Sequence, residues 1–431
     1  MTQDEPADQY AHSAIPAAER VSGWRVGMIV ASFSIGLPDF LNAAQIGMAL
    51  GLRQAILASL LAGLCLCLGG SLTSRVAVRT RLSTYALIER SFGHGGAAII
   101  NSAIALISFC WFGVNASFFG EALGGAARAN GVRIDMPALI VGGAILMTVS
   151  TIIGFRALDR LASIAVPVLA VVLGTVAVLA VRHHGVTTAS SPHPPVPLRF
   201  GIAVSALVGS NMLAVATMPD LARFIRSERG AVGAMALSFP VAAPIMMTVS
   251  AIPALALHET SIASLVMRLG LGTPVLFLLV LPTLTVNALN LYSASLALST
   301  VLPSVRLWIF TVAGGVIGTG LALAGIIDAF IPFLLLLGIV IPPIAAVYAI
   351  DVLVLAKRPV PATHPICWRA LAAWGASVAA ALLLARVDGS LTTIPALDAT
   401  IFAAAAYLML NLRVVEGRMK LRDQPLGEAL P

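Results

Sequence analysis

Twelve apolar runs, each within the length that crosses a bilayer (about 17–25 residues, more if tilted), constrain this chain more than any motif in it. They fall at about 26–50, 54–74, 96–124, 137–154, 161–181, 200–222, 231–256, 274–302, 307–326, 329–352, 368–385 and 396–412. Only 10% of the 431 residues are charged, against roughly 25% in soluble domains. The connections are too short to hold a sizeable soluble domain. The expectation is an all-α integral membrane protein of about 12 transmembrane helices.

The basic residues orient those helices. With the N-terminus inside, only Arg53, Arg128, Arg133, Arg182, Arg199, Arg268 and Arg386 fall outside, and the rest of the 26 Lys and Arg residues fall inside. Positive charge concentrates on cytoplasmic loops, so both termini are expected in the cytoplasm of an inner-membrane, multi-pass protein. A missed or extra helix would scramble that bias. The formal charge of +7 does not imply nucleic acid, because the arginines are spread over many loops and form no patch. Four cysteines give neither a metal spacing nor a disulfide framework. The histidines lie in loops or at helix ends, including the outer tract "RHHGVTTASSPHPPVPLRF", which reads as a stiff exposed loop. No GxxxxGK[ST] occurs, so ATP-driven pumping by this chain is not expected, and no ATPase subunit is implied. No enzyme chemistry, cofactor or metal is expected beyond a coupling ion, Na+ or H+. A monomer is the expected state; GxxxG-like runs such as "GGVIGTG" are too common in membrane helices to imply a dimer.

The stretch "GLPDFLNAAQIG", Gly36 to Gly47, interrupts the first run with a helix breaker and a carboxylate. An ionised Asp at a helix centre costs ~2.5–3.5 kcal/mol on insertion scales, so Asp39 should face protein or a water-filled cavity. Pro38 has no N–H to donate and clashes with the preceding turn. A helix that breaks at Gly36–Pro38 and restarts places Pro38 in a favoured first turn and Asp39 at the positive end of a half-helix. Carbonyls freed around Ser34–Leu37 then face a cavity. A plain proline kink is the alternative. The sixth run carries Gly209, Ser210 and Asn211 in its middle and a second Pro–Asp pair, Pro219–Asp220, read as a gate or structural ion pair with Arg223 and Arg226. Interrupted first and sixth helices are what inverted five-helix repeats of a secondary transporter predict.

Two further helices carry polar stripes. In the eighth, "LPTLTVNALNLYSASLALST", Thr283, Asn287 and Asn290 share one face, with Thr285, Tyr292 and Ser299 on roughly the opposite one. In the third, Ser108, Trp111 and Asn115 lie at i, i+3 and i+7, joining a flat aromatic plate to hydrogen-bonding groups. That combination suits a planar heterocycle. Glu121, nearer the outer end, reads as a cap or a paired group.

The segments "ALGLRQAILASLLAGLCLCLGG", "RTRLSTYALIERSFG", "WFGVNASFFGEALG", "GFRALDRLASIAVP", "GSNMLAVATMPDLARF", "LYSASL" and "IPPIAAVYAID", in that order, resemble the nucleobase–cation symport family, most closely its cytosine-permease branch, over roughly Gly23 to Arg413. The resemblance implies a leucine-transporter-type fold with a 5+5 inverted repeat, helices 1 and 6 broken, and two extra helices. The domains would be a cytoplasmic tail (1–22), a first repeat (23–182), an external loop (183–199), a second repeat (200–352), two additional helices (353–414) and a second tail (415–431). It implies import of a nucleobase or related heterocycle, cytosine-like pyrimidine or purine, by cation symport with alternating access, helix 10 and its Pro342–Pro343 pair acting with the broken helices as gates.

Residue by residue, the family's stacking tryptophan corresponds to Trp111 and its helix 8 amide to Asn287. A glutamine becomes Ser108. The Gly–Ser pair corresponds to Gly209–Ser210, but the aromatic after it is Asn211. A small residue in the helix 1 break is replaced by Asp39. The family's sodium site maps onto carbonyls of Ser34, Leu37 and Pro282 and the hydroxyl of Thr285, with Val286 where a second hydroxyl stands. The expected substrate-binding set is therefore Asp39, Ser108, Trp111, Asn115, Gly209, Ser210, Asn211 and Asn287, and the expected cation set is Ser34, Leu37, Pro282 and Thr285. These departures make Asp39 a candidate to bind a protonated or amino-bearing heterocycle, or to carry a driving proton. The rivals are a same-fold transporter of a cationic heterocycle such as a thiamine-pyrimidine precursor, and a channel or receptor, for which the chain offers neither a pore ring nor an output domain.

Overall fold

A computed structural model describes Pro16 and residues 19–153, 156–355, 365–387 and 389–412. The expected second tail, 415–431, and most of the first lie outside the described residues. In chain order the elements are α1 (Gly23–Phe33), α2 (Leu37–Leu50), α3 (Leu52–Thr80), α4 (Thr84–Phe92), α5 (His94–Ala129), α6 (Met136–Ile153), α7 (Arg156–His184), α8 (Phe200–Ala216) and α9 (Pro219–Ala222). There follow α10 (Glu228–Leu257), α11 (Ile262–Arg268), α12 (Thr273–Val301), α13 (Leu307–Leu323), α14 (Phe330–Val340), α15 (Pro342–Ile350), a π-helical turn (Asp351–Leu355), α16 (Trp368–Arg386) and α17 (Pro395–Leu410).

Six of the described helical stretches are long and apolar enough to cross a membrane alone, and α1 with α2, bent by 65°, makes a seventh when the bent pair is taken as one span. Helices α6, α8, α13 and α17 are shorter apolar ones. At 1.5 Å per residue, the 17 residues of α8 span about 26 Å, short of the ~30 Å hydrocarbon layer. The sixth run is indeed interrupted, but not at Gly209–Asn211, where α8 is continuous. It stops at Ala216, and α9 follows after Thr217 and Met218. The reason is local: Ser210 returns its hydroxyl to the Leu207 carbonyl (3.0 Å) within the helix, whereas Pro219 has no N–H with which to continue one.

Helix pairing has a pattern. α3 packs along α10, α5 along α12 and α6 along α13. α1 lies on α10, and in the corresponding place half a chain later α8 lies on α3. Between membrane helices the lipid offers no hydrophobic driving force, so close backbone approach through small residues does the work. A Cβ on Gly63 of α3 would sit 2.8 Å from the Phe239 carbonyl of α10, so any side chain there would separate the pair. Trp24, Trp308 and Trp368 are exposed at the starts of α1, α13 and α16, as interfacial anchors are. Trp374 is turned inward instead, its Nε1–H donating to the Val340 carbonyl at 3.0 Å.

The two ends of the bundle are tied differently. At one, Arg81 closes α3 in the left-handed region (φ 60°) and donates to the carbonyls of Arg223 (2.7 Å) and Ile225 (2.6 Å). Val21 pairs with the same loop, its N–H donating to Phe224 (2.8 Å) and its carbonyl accepting from Arg226 (3.1 Å). The Asp220 carboxylate accepts the Thr84 N–H (2.8 Å). At the other end, the connection after α7 docks on the α2–α3 corner, through Leu52 N–H to Thr188 (3.0 Å) and Ser191 N–H to Met48 (2.8 Å). Ser261, before α11, donates its hydroxyl to the Glu121 carboxylate.

Buried Asp398 in the first turn of α17 gathers the loop before it. It accepts from Ser390 Oγ (2.6 Å), Leu391 N–H (2.9 Å), Thr392 N–H (2.9 Å) and Thr392 Oγ1 (2.6 Å). That loop holds Thr393 at φ 64°, a rare conformation for a β-branched residue, with its carbonyl against Gly201 of α8. Asp398→Ala should strand several donors at roughly 1–3 kcal/mol each. A lower Tm and faster proteolytic cutting between α16 and α17 are the expected readings.

Candidate functional site

The site grows from the opening between α1 and α2. The last turn of α1 tightens, with Ser34 N–H reaching Ala31 (3.3 Å) and Ile35 N–H reaching Ser32 (3.0 Å). Gly36 is extended and caps α2, whose first turn holds Pro38 and Asp39. The missing N–H of Pro38 is harmless there, since the first N–H groups of a helix have no intrahelical partner. Asp39 thus stands at the positive end of α2. Its Oδ1 accepts from Asn211 Nδ2 of α8 at 3.4 Å, and the same nitrogen donates to Ser210 Oγ at 3.0 Å. No ion pair to Asp39 is present among the described residues. An intramembrane carboxylate without a countercharge is a functional-site candidate by default.

Trp111 on α5 packs against aromatic neighbours. It meets the edges of Phe333 (centroids 5.4 Å, 71°) and Phe330 (6.2 Å, 81°), both on α14. Those phenylalanines carried no signal in the sequence beyond two aromatics at i, i+3 in a wholly apolar run. The other residues of the expected stripe are turned onto their own helix: Ser108 donates to the Ile104 carbonyl (3.0 Å) and Asn115 to the Trp111 carbonyl (3.0 Å).

Asn287 on α12 is fully buried, its Nδ2 donating to the Phe112 carbonyl (3.1 Å) and lying 2.9 Å from the Met147 sulfur. Its Oδ1 has no partner. Gly209 is where α8 touches α14: a Cβ there would collide with the Leu334 carbonyl and lie 3.0 Å from the Gly338 nitrogen. The geometry thus joins Asp39, Ser210 and Asn211, while Ser108 and Asn115 bond to their own helix, Gly209 packs on α14 and Asn287 bonds across to α5.

Of the expected cation set, Ser34 and Leu37 are buried beside the break, and the Ser34 hydroxyl has no partner. Pro282 and Thr285 lie on α12, but their side chains are outside the described ones. Val286 next to them is 45% exposed.

A family model described as "Permease for cytosine/purines, uracil, thiamine, allantoin" matches residues 15–410. The chain belongs to that family. Cytosine permease of Escherichia coli K12 is 28% identical over 413 residues, covering 95% of each chain. Among solved structures, the inward-facing conformation of Mhp1 superposes with a TM-score of 0.81 at 19% identity, covering 97% of this chain and 99% of that one. Mhp1, described as a nucleobase-cation-symport-1 family transporter, in a closed conformation with bromovinylhydantoin bound, gives 0.77 at 20% identity and 96% of each. A substrate-bound, outward-open Na+-coupled sialic acid symporter gives 0.64 at 12%, covering 94% and 92%. These likenesses show the fold, the leucine-transporter type that the sequence resemblance implied.

A branched side chain at Gly209 would push α14 off α8, because backbone is what it meets. Gly209→Val should cut the folded yield and lower the Tm in a thermal-shift assay. Ser210→Ala, one residue on, should leave both close to wild type.

Proposed function

We propose that this permease imports a nucleobase or related planar heterocycle by cation-coupled symport with alternating access, as a multi-pass inner-membrane protein of twelve spans with both termini cytoplasmic. The observation that carries the reading is the Asp39–Asn211 bond, which brings a carboxylate at the break of the first helix onto the sixth. Trp111 offers the stacking face, and Phe330 and Phe333 of α14 close on its edges. Asp39, Ser210 and Asn211 bind the solute's polar edge, with Ser108, Asn115, Gly209 and Asn287 shaping the walls. The pairing of α3 with α10, α5 with α12 and α6 with α13 supports two inverted five-helix repeats, 23–182 and 200–352. Substrate and cation must favour one state over the other, since equal affinity for both shifts nothing.

The coupling ion is read from the same residues. Ser34, Leu37, Pro282 and Thr285 are the candidate sodium ligands, and a Na+-coupled symporter shares the fold. A proton is favoured by two departures: Val286 in place of the second hydroxyl, and Asp39, a titratable group, in the break. Uptake of radiolabelled cytosine into proteoliposomes, with sodium and pH gradients imposed separately and unlabelled heterocycles as competitors, tests both parts. If Asp39 carries the proton as well as binding the solute, Asp39→Asn loses concentrative uptake at least ~10-fold more than it loses counterflow exchange, as expected of a group acting in the coupled step. Full concentrative uptake with an unchanged pH dependence would remove Asp39 from coupling.

A further inference from the structure

We propose that Asn42 is a further substrate-binding residue, and that it selects heterocycles presenting a hydrogen-bond donor and an acceptor side by side, as in a lactam or an aminopyrimidine edge. This rests on the transport reading above. Asn42 lies on α2 three residues beyond Asp39, so the two side chains share a face one helical turn apart. Gly47, on the same helix, faces α10: a Cβ on it would lie 2.5 Å from the Ala251 Cβ. At 3.6 residues per turn Gly47 stands about 140° around the helix from Asn42. Asn42 therefore points away from the contact with α10 and lies about 60° around the helix from Asp39, which meets Asn211 of α8.

The side chain there is 0% exposed, and neither Nδ2 nor Oδ1 has a hydrogen-bond partner. The great majority of buried polar side-chain atoms are bonded, and each exception calls for an explanation such as a ligand or ordered water. Here two exceptions sit on one amide. A primary amide offers a donor and an acceptor in one plane, so a single planar solute with the complementary pair fills both in a two-bond ring. Asp39, ionised, can only accept. Asn42 supplies the donor the carboxylate lacks, and the two residues on one stripe read two edges of the same ring. Gln45, one turn further along, also has a buried Oε1 with no partner, so the unfilled polar stripe runs on toward the α2–α3 corner.

The test uses the full chain, purified, with cytosine, uracil and their N3-methyl derivatives as probes in uptake competition and thermal shift. Wild type should take up a parent base and reject its N3-methyl derivative by at least about tenfold, because a site built to hydrogen-bond an edge excludes the analogue that blocks it. Asn42→Leu should raise the ligand-free Tm by removing an unpaired buried amide. It should also abolish the base-induced Tm rise and raise KM for the parent bases about tenfold or more, with the discrimination against N3-methylation lost. Asn42→Asp, which keeps the acceptors, should lose the same discrimination.

Asn42→Leu with wild-type KM and selectivity would overturn the proposal and leave water as the amide's partner. Should that variant not fold, equal uptake of parent and N3-methyl bases by wild type overturns it without any substitution. If wild type neither takes up nor is stabilised by any base, the nucleobase reading of the transport site falls, and this proposal with it.

Discussion

Inside a bilayer every backbone N–H and C=O must find its partner within the protein, and this one rule accounts for where the chain opens and where it does not. The opening at Ser34–Gly36 leads directly into α2, which packs on α5 and α8, and Pro38 in its first turn has no N–H to strand. The rest of the helical framework keeps its hydrogen bonds internal, and hydroxyls such as Ser108, Ser210 and Thr283 spend themselves on carbonyls of their own helices. Polar residues that do not do so stand out for that reason. Asp39, Asn211, Asn42, the Ser34 hydroxyl, the Gln45 Oε1 and the Oδ1 of Asn287 are among the groups with capacity left over.

The helices are held by two kinds of contact. Along the bundle, small residues let backbones touch, as at Gly63 against Phe239 and Gly209 against Leu334, and dispersion over that close approach does what water cannot do in lipid. At the ends the contacts are polar and directional. Arg81 gathers three carbonyls, Asp398 four donors, and Tyr407 gives its hydroxyl to the buried Asp351 carboxylate at 2.7 Å. The interior seams set how closely helices lie, and the end contacts set which helices travel together.

Much of this could be read from the chain alone, for physical reasons. Hydropathy marks the spans because the bilayer admits little else, and Pro38 beside Asp39 marks the first break because each residue is costly in an unbroken helix. The sixth helix was harder. Gly209–Ser210–Asn211 looks like a weak point, but the glycine serves a close packing and the serine caps its own turn, so the interruption falls at the proline instead. The eighth helix shows the same limit. Periodicity puts Asn287 on a polar face, but only the packed structure reveals that its donor is taken by Phe112. Phe330 and Phe333 were invisible, because an aromatic within an apolar run has no contrast with its neighbours.

The short pairing of Val21 with Phe224 and Arg226 has a mechanical meaning. It staples the start of α1 to the segment between α9 and α10, while Arg81 fastens the same segment to the end of α3. The first half-helix is thus no free flap. To swing it, the protein must either break these end contacts or carry the ends of α3 and α10 along with it.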